Sequence, residues 1–166
     1  ADGGKIDAAY HTRLHDPFQS AGAGIPVYRV RLGGASACVK SREEIALGYQ
    51  EAFADLAEVE RPLVPENRLL AWHLYPIRLR LDRLDVDRNQ FLGELQQAGV
   101  GCSVHWRPLH MHPYYQRTLG HQPDDFPVAH RLYQRIISLP LFTRMTRDDV
   151  GRVVDTVSSI AARHRL

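Results

Sequence analysis

From Ser41 onward the apolar residues of the chain recur with two distinct spacings. Ile45, Tyr49, Ala52, Phe53 and Leu56 follow one another at three- and four-residue steps, which predicts a helix over about Arg42 to Glu58. Ser41 and Glu44 fit a capping box at its start, each side chain satisfying an orphan backbone N–H. Pro62 and Pro65 mark a connector. Trp72 to Leu81 then changes to a two-residue step. His73, Tyr75, Ile77, Leu79 and Leu81 share one face of a strand, and Trp72, Leu74, Arg78 and Arg80 share the other. Pro76 cannot donate to a ladder, so the strand is expected to be an edge, or bulged at that point.

Helical spacing returns at Asp87, which can cap a helix with Gln90; Phe91, Leu92 and Leu95 form its apolar stripe and Gly99 stops it. Cys102 to Arg107 reads as a short strand. His112-Pro113 places proline at the favoured first position of a helix that stops at Gly120, and Pro127 opens another through Ala129, Leu132 and Tyr133. Ile136 to Leu139 is a brief buried strand. Thr146 and Asp149 cap a long last helix with Val150, Val153, Val154, Val157, Ile160 and Ala161 on one face, and Arg163, His164 and Arg165 suit its negative end. This order predicts an α+β fold, a small, mostly antiparallel sheet covered by helices. Residues 1–40 differ. They hold Gly3-Gly4, Gly22, Gly24 and Gly33-Gly34 without a sustained period, which predicts a divergent or loosely ordered segment with a short strand around Val27 to Leu32. The domain expected to carry the fold is 41–166.

Composition narrows the class. At 166 residues, 44% hydrophobic and 24% charged, the chain suits one soluble domain with a real core. No apolar run approaches membrane length, and the first residues lack the basic-then-apolar order of a signal peptide. A cytoplasmic protein with no membrane partner is the expectation. Cys38 and Cys102 make no disulfide framework and read as small buried hydrophobes. Net charge is only +2, and the basic residues are nearly all arginine, with Lys5 and Lys40 the two lysines. Arg78, Arg80 and Arg83 are broken up by Leu and Asp rather than forming a stripe with interleaved aromatics, so no nucleic-acid partner is expected. Chemistry that needs a Schiff-base lysine has just those two candidates.

The densest chemistry lies in Ser103 to Tyr115, with three histidines and two tyrosines in thirteen positions. As metal ligands, His105, His110 and His112 have no strong zinc spacing and no adjacent carboxylate; Pro108 and Pro113 prevent one helix from presenting all three, so no metal is expected. A Gly-x-Ser-x-Gly elbow and a phosphate-cradling Gly-x-x-x-x-Gly-Lys-Ser/Thr loop are both missing. Anion recognition fits better. Imidazoles, Arg107 and tyrosine hydroxyls are all donors, and a proline-fixed loop holds them at low entropic cost. Phosphates or a polar sugar are the matching ligands. The plainer alternative is that His105 and Trp106 alternate across a strand, one of them buried and hydrogen-bonded.

These residues also carry a resemblance. Trp72-His73-Leu74-Tyr75, Gly99 to His105, Pro108-Leu109-His110, Pro113-Tyr114-Tyr115, Phe126-Pro127-Val128-Ala129, Ser138-Leu139-Pro140-Leu141 and Met145-Thr146 occur in that order. Together they resemble the C-terminal part of the pyridoxal-phosphate-dependent sugar aminotransferases, the DegT/DnrJ/EryC1/StrS family. Ser41 to Tyr49 is similar to the helix that runs from the large into the small domain there. The resemblance implies the small domain of a fold type I aminotransferase. Members move an amino group from glutamate or glutamine onto a keto-sugar, usually nucleotide-linked, and usually work as homodimers with active sites at the subunit interface. It implies that His105, Arg107, His110 and Tyr115 face the sugar-nucleotide pocket. It implies pyridoxal phosphate in the full-length enzyme, with none expected on this chain alone. The family's large domain, with the cofactor lysine and the aspartate that faces the pyridine nitrogen, has no counterpart in this sequence. Neither Lys5 nor Lys40 stands before the threonine and Gly-Glu-Gly-Gly of the family motif. In Val27-Tyr28-Arg29-Val30, valine replaces the asparagine of the family's Asn-Tyr-Arg-Met. The expected partners are therefore a nucleotide-sugar and a missing large domain or second subunit, and no independent catalysis is expected. The competing expectation is a non-catalytic nucleotide-sugar-binding or regulatory module that kept the fold.

Overall fold

The computed structural model describes residues 35–66 and 70–166. The strand expected around Val27 to Leu32, with most of the segment expected to be loosely ordered, lies outside the described residues. The chain divides between Lys40 and Ser41 into two units, and the second, Ser41–Leu166, carries the features described below. In chain order the elements are α1 (Ala35–Ala52), β1 (Val59–Glu60), β2 (Tyr75–Leu79), α2 (Arg88–Gln97), α3 (Pro113–Leu119), α4 (Pro127–Tyr133), β3 (Ile136–Leu139) and α5 (Arg147–Arg163). The three strands form one antiparallel sheet in the order β1-β2-β3. This is the α+β arrangement that the spacing of apolar residues predicts.

α1 departs from expectation at both ends. It begins at Ala35, so Ser41 lies inside the helix and is no cap; its hydroxyl donates to the Thr143 carbonyl at 3.0 Å. The run Ala35-Ser36-Ala37 continues a helix readily, which is why the polar pair at Ser41 and Glu44 does not start it. The helix stops at Ala52, six residues short of the expected end, and the chain turns so that buried Phe53 stacks on Tyr49 with ring centroids 5.9 Å apart. Cys38 is exposed on this helix rather than buried, whereas Cys102 is buried and its thiol pushed up in pKa by that burial.

The other helices follow their signals. Asp87 and Gln90 cap α2 reciprocally at 2.8 and 3.1 Å, and Gly99 and Gly120, at φ 81° and 71°, supply the left-handed turns that end α2 and α3. Thr146 and Asp149 form a full capping box on α5, and the two Thr146 hydrogen bonds hold the Asp149 carboxyl below its ordinary range.

β2 lies at the centre of the sheet. Tyr75, Ile77 and Leu79 face the core opposite Leu139 and Ile137 of β3, and pack with Tyr49, Phe53, Phe91, Leu95, Val157 and Ile160 from the helices. Pro76 is tolerated there for a geometric reason. The N–H of Leu79 bonds toward β3, at Arg135 O, and that of Arg80 toward β1, at Glu58 O. Even-numbered N–H groups therefore point to the β1 side, and β1 is only two residues long, pairing no farther than Arg78. The missing Pro76 N–H costs no ladder bond. The expectation of an edge thus holds for that half of one side, although the strand itself is central.

The C-terminal turn is tied down by charge. His164 reaches Asp85 through Nδ1 and Glu94 through Nε2, both at 2.7 Å, and Arg163 shares Glu94 at 2.8 Å. Buried Glu58 is held by the Arg165 guanidinium, whose hydrogen bonds keep its carboxyl below the ordinary range. Bonding to two carboxylates requires both imidazole nitrogens to carry protons, so the Glu94 and Asp85 hydrogen bonds raise the pKa of His164 above its ordinary value.

A raised folded pKa means that stabilisation is complete below about pH 6.5, where an unfolded histidine titrates, and fades as pH rises through the folded value. His164→Ala should therefore lower the melting temperature most near pH 6 and least near pH 9; a constant gap across that range would rule out the ionic latch. In the core, Ile77→Ala should cost about 2–5 kcal/mol in urea unfolding, since Ile77 is fully buried opposite Ile137.

Candidate functional site

Beyond β3 the expected strand over Cys102 to Arg107 is reduced to one bridge. Ser103 and Ser138 exchange both backbone bonds, at 3.2 and 2.8 Å, and the segment then leaves the sheet. One paired residue is enough to deliver His105 to the outer face. Its Nδ1 meets the Ser138 hydroxyl at 2.9 Å and the Ser103 hydroxyl at 3.3 Å, and its ring stands edge-on to Trp106, 4.7 Å between centroids. Ser138 is buried although it points away from the core, because this loop covers it. His105 is half-buried and Trp106 is exposed.

Pro108 and Pro113 bracket a single 3-10 turn, Leu109–Met111. The turn is closed by Met111 N–H to Pro108 O at 2.9 Å and His112 N–H to Leu109 O at 3.0 Å. His110 lies inside it, buried, donating through Nε2 to the Pro123 carbonyl at 3.2 Å and packing on Phe126 with centroids 4.6 Å apart. His112 donates back to the Arg107 carbonyl at 3.2 Å and is the residue before α3. Arg107 is exposed, and its guanidinium bonds no group among the described residues. Tyr115, on the first turn of α3, is half-buried and packs edge-to-face on exposed Tyr114 at 5.3 Å.

The four residues singled out from the sequence thus share one loop and helix start but do not converge on a common atom. Arg107 is exposed, His105 and Tyr115 are half-buried, and His110 is buried in the turn. Among the described residues no three His, Cys, Asp or Glu side chains gather as a metal site would. Asp124 and Asp125 are occupied by His130 at 2.9 Å and His121 at 3.5 Å. The imidazoles, guanidinium and phenol hydroxyls of the loop can all donate, which suits an anionic or hydroxyl-rich ligand. Sequence reasoning missed Ser103 and Ser138 as the partners of His105. Their sequence signal is that Ser103 opens the histidine segment and Ser138 lies in the Ser-Leu-Pro-Leu stretch that carries part of the resemblance. Around the loop, Trp106, Leu109, Tyr114, Phe126 and Val128 leave large apolar surfaces exposed.

The chain and its fold have counterparts among known proteins. The model of the DegT/DnrJ/EryC1/StrS aminotransferase family matches residues 10–158. An uncharacterized protein of Methanocaldococcus jannaschii, MJ1066, is 44% identical over 126 residues, 76% of this chain and 33% of its own length. The spore coat polysaccharide biosynthesis protein SpsC of Bacillus subtilis is 40% identical over 122 residues, 73% of this chain and 31% of its own. Among solved structures, Helicobacter pylori PseC, an aminotransferase involved in the biosynthesis of pseudoaminic acid, superposes with a TM-score of 0.73 at 25% identity. It covers 80% of this chain and 35% of its own. The matching structures include PMP and PLP forms of one Streptococcus pneumoniae protein. The chain spans about a third of the length of the curated relatives it matches.

Because His110 is structural in the turn and Arg107 is not, their truncations should separate. His110→Ala should cost about 1–3 kcal/mol in urea unfolding, from lost packing and an orphaned carbonyl, whereas Arg107→Ala should stay within about 0.5 kcal/mol. Equal losses would mean that the loop is not organised as described.

Proposed function

Because the chain belongs to the DegT/DnrJ/EryC1/StrS aminotransferase family, we propose that it forms the small-domain portion of an enzyme that aminates a nucleotide-linked keto-sugar, with glutamate or glutamine as donor. The observation that carries this reading is the donor loop at Ser103 to Tyr115, standing on the fold of solved family members. His105, fixed by two serine hydroxyls, and the exposed Arg107 would contact sugar hydroxyls and phosphate. Tyr115 would close the rim, and His110 would hold the turn that aims them. Low-entropy presentation of this kind strengthens binding without adding contacts.

The family's cofactor is pyridoxal phosphate, which when bound supplies the electron sink for moving an amino group. The described residues do not by themselves fit that group. Their one lysine, Lys40, is exposed on α1 and stands outside the family's lysine motif. We place the cofactor lysine in polypeptide beyond this sequence, consistent with a chain that spans a third of its relatives. The apolar surface around Trp106, Leu109 and Phe126 would then be covered by that large domain or by a second subunit of a cytoplasmic homodimer.

Calorimetric titration of the chain with dTDP-glucose and UDP-N-acetylglucosamine checks the binding half. Saturable binding is expected for at least one, weakened about tenfold by His105→Ala or Arg107→Ala; no binding, or binding indifferent to both substitutions, would overturn the assignment. Mixing the chain with pyridoxal phosphate, glutamate and a dTDP-keto-sugar should give no amino-sugar. Product formed by this chain alone would refute the placement of the lysine elsewhere.

A further inference from the structure

The outer face of the sheet carries a second polar feature, at the β1–β2 end. Residue alternation puts Glu60, Arg78 and Arg80 on this face, since Val59 and Leu79 take the core side. The turn after α1 and the connector that begins at Arg61 form its walls. The connector is held by Gln50, whose side-chain amide donates to Pro62 O at 2.8 Å while its backbone carbonyl accepts from the Arg61 guanidinium. The result is an open cleft of ≈ 640 Å³ whose lining includes four arginines and two acidic residues, Arg61, Arg78, Arg80 and Arg83 against Asp55 and Glu60.

The pairing inside the cleft is incomplete. Glu60 is the shared acceptor, and Arg135 takes its Oε1 at 2.7 Å, which together with Arg78 and Arg80 holds the Glu60 carboxyl below its ordinary range. Arg78 takes Oε2 at 3.1 Å. Arg80 is left with Nε 3.8 Å from Oε1, too far to bond, and that buried N–H has no acceptor among the described residues. Glu58, the next carboxylate, is buried and bonded to Arg165; Arg83 also lowers its pKa through charge but, like Arg80, makes no hydrogen bond to it. A buried donor without an acceptor is costly, and a net positive cleft concentrates anions. Planar guanidiniums match the oxygens of phosphate in pairs.

We propose that this cleft is a binding site for a phosphorylated small molecule, its phosphate or diphosphate held by Arg78, Arg80 and Arg83. The cleft volume lies within the range of small-ligand sites, about 300–1,000 Å³. Glu60 sets the geometry of Arg78 and at the same time opposes the anion. This assignment is separate from the proposed sugar contacts at His105, and the two can fail independently.

Inorganic pyrophosphate is the probe, titrated into the full chain by calorimetry against sodium chloride matched in ionic strength. Saturable binding is expected, weakened about tenfold by Arg83→Ala and by Arg80→Ala. Glu60→Gln should tighten it, which a merely structural role for Glu60 would not produce. Circular dichroism checks that each variant is folded; Arg83, being exposed, is the variant least able to disturb the fold. No saturable heat, an effect reproduced by sodium chloride, or affinity indifferent to Arg83→Ala and Arg80→Ala would overturn the proposal. So would tighter binding of a DNA duplex than of pyrophosphate, which would reassign the cleft to a nucleic-acid backbone.

Discussion

The two-residue period of β2 is the constraint on which the rest of the described fold depends. Because side chains alternate strictly, Tyr75, Ile77 and Leu79 are committed to the core, and Pro76, Arg78 and Arg80 to the outer face. Pairing with β3 on one side passes that division on: Ile137 and Leu139 join the core, while Ser138 turns outward to meet His105. Pairing with β1 on the other passes it to Glu60. A one-residue slip would bury two arginines and expose three large apolar side chains. The sheet thus fixes both the donor loop and the arginine cleft from one register.

Charge is used in two ways around this sheet. At the C-terminal turn, His164, Asp85 and Glu94 form a matched set in which each proton has an acceptor, and Arg165 does the same for buried Glu58. Such sets hold elements together and leave little for a ligand to gain. At the β1–β2 face the set is unmatched, with more guanidiniums than carboxylates. The contrast separates structural charge from charge that is available for recognition.

The legible parts of the sequence are those whose cause is local. Asp87, Thr146, Gly99 and Gly120 each place a helix end because the orphan groups they help satisfy lie within one turn, and Pro113 and Pro127 because proline has no N–H to leave orphaned at a helix start. Ser41 misleads for the same reason: the capping pattern is present, but the preceding alanines extend the helix past it. β1 escapes notice because two residues carry no period, and it exists only through its pairing to Arg78 and Leu79. At the donor loop the residue types are readable, while the burial of His110 and the bond from His105 to Ser138, thirty-three positions away, depend on tertiary contact. The arginines were readable as well. Arg78 and Arg80 look dispersed along the chain, yet the strand period gathers them on one side.

Pro76 has a consequence beyond its own strand. Among the described residues β1 does not continue past Glu60, so on that side of β2 Pro76 is left without a partner strand. An incoming extended peptide would need donors there to extend the sheet, and at Pro76 it finds a ring instead of an N–H. The imino acid acts as a guard against unwanted self-templating, sparing the sheet an adhesive margin at no cost to its own hydrogen bonds.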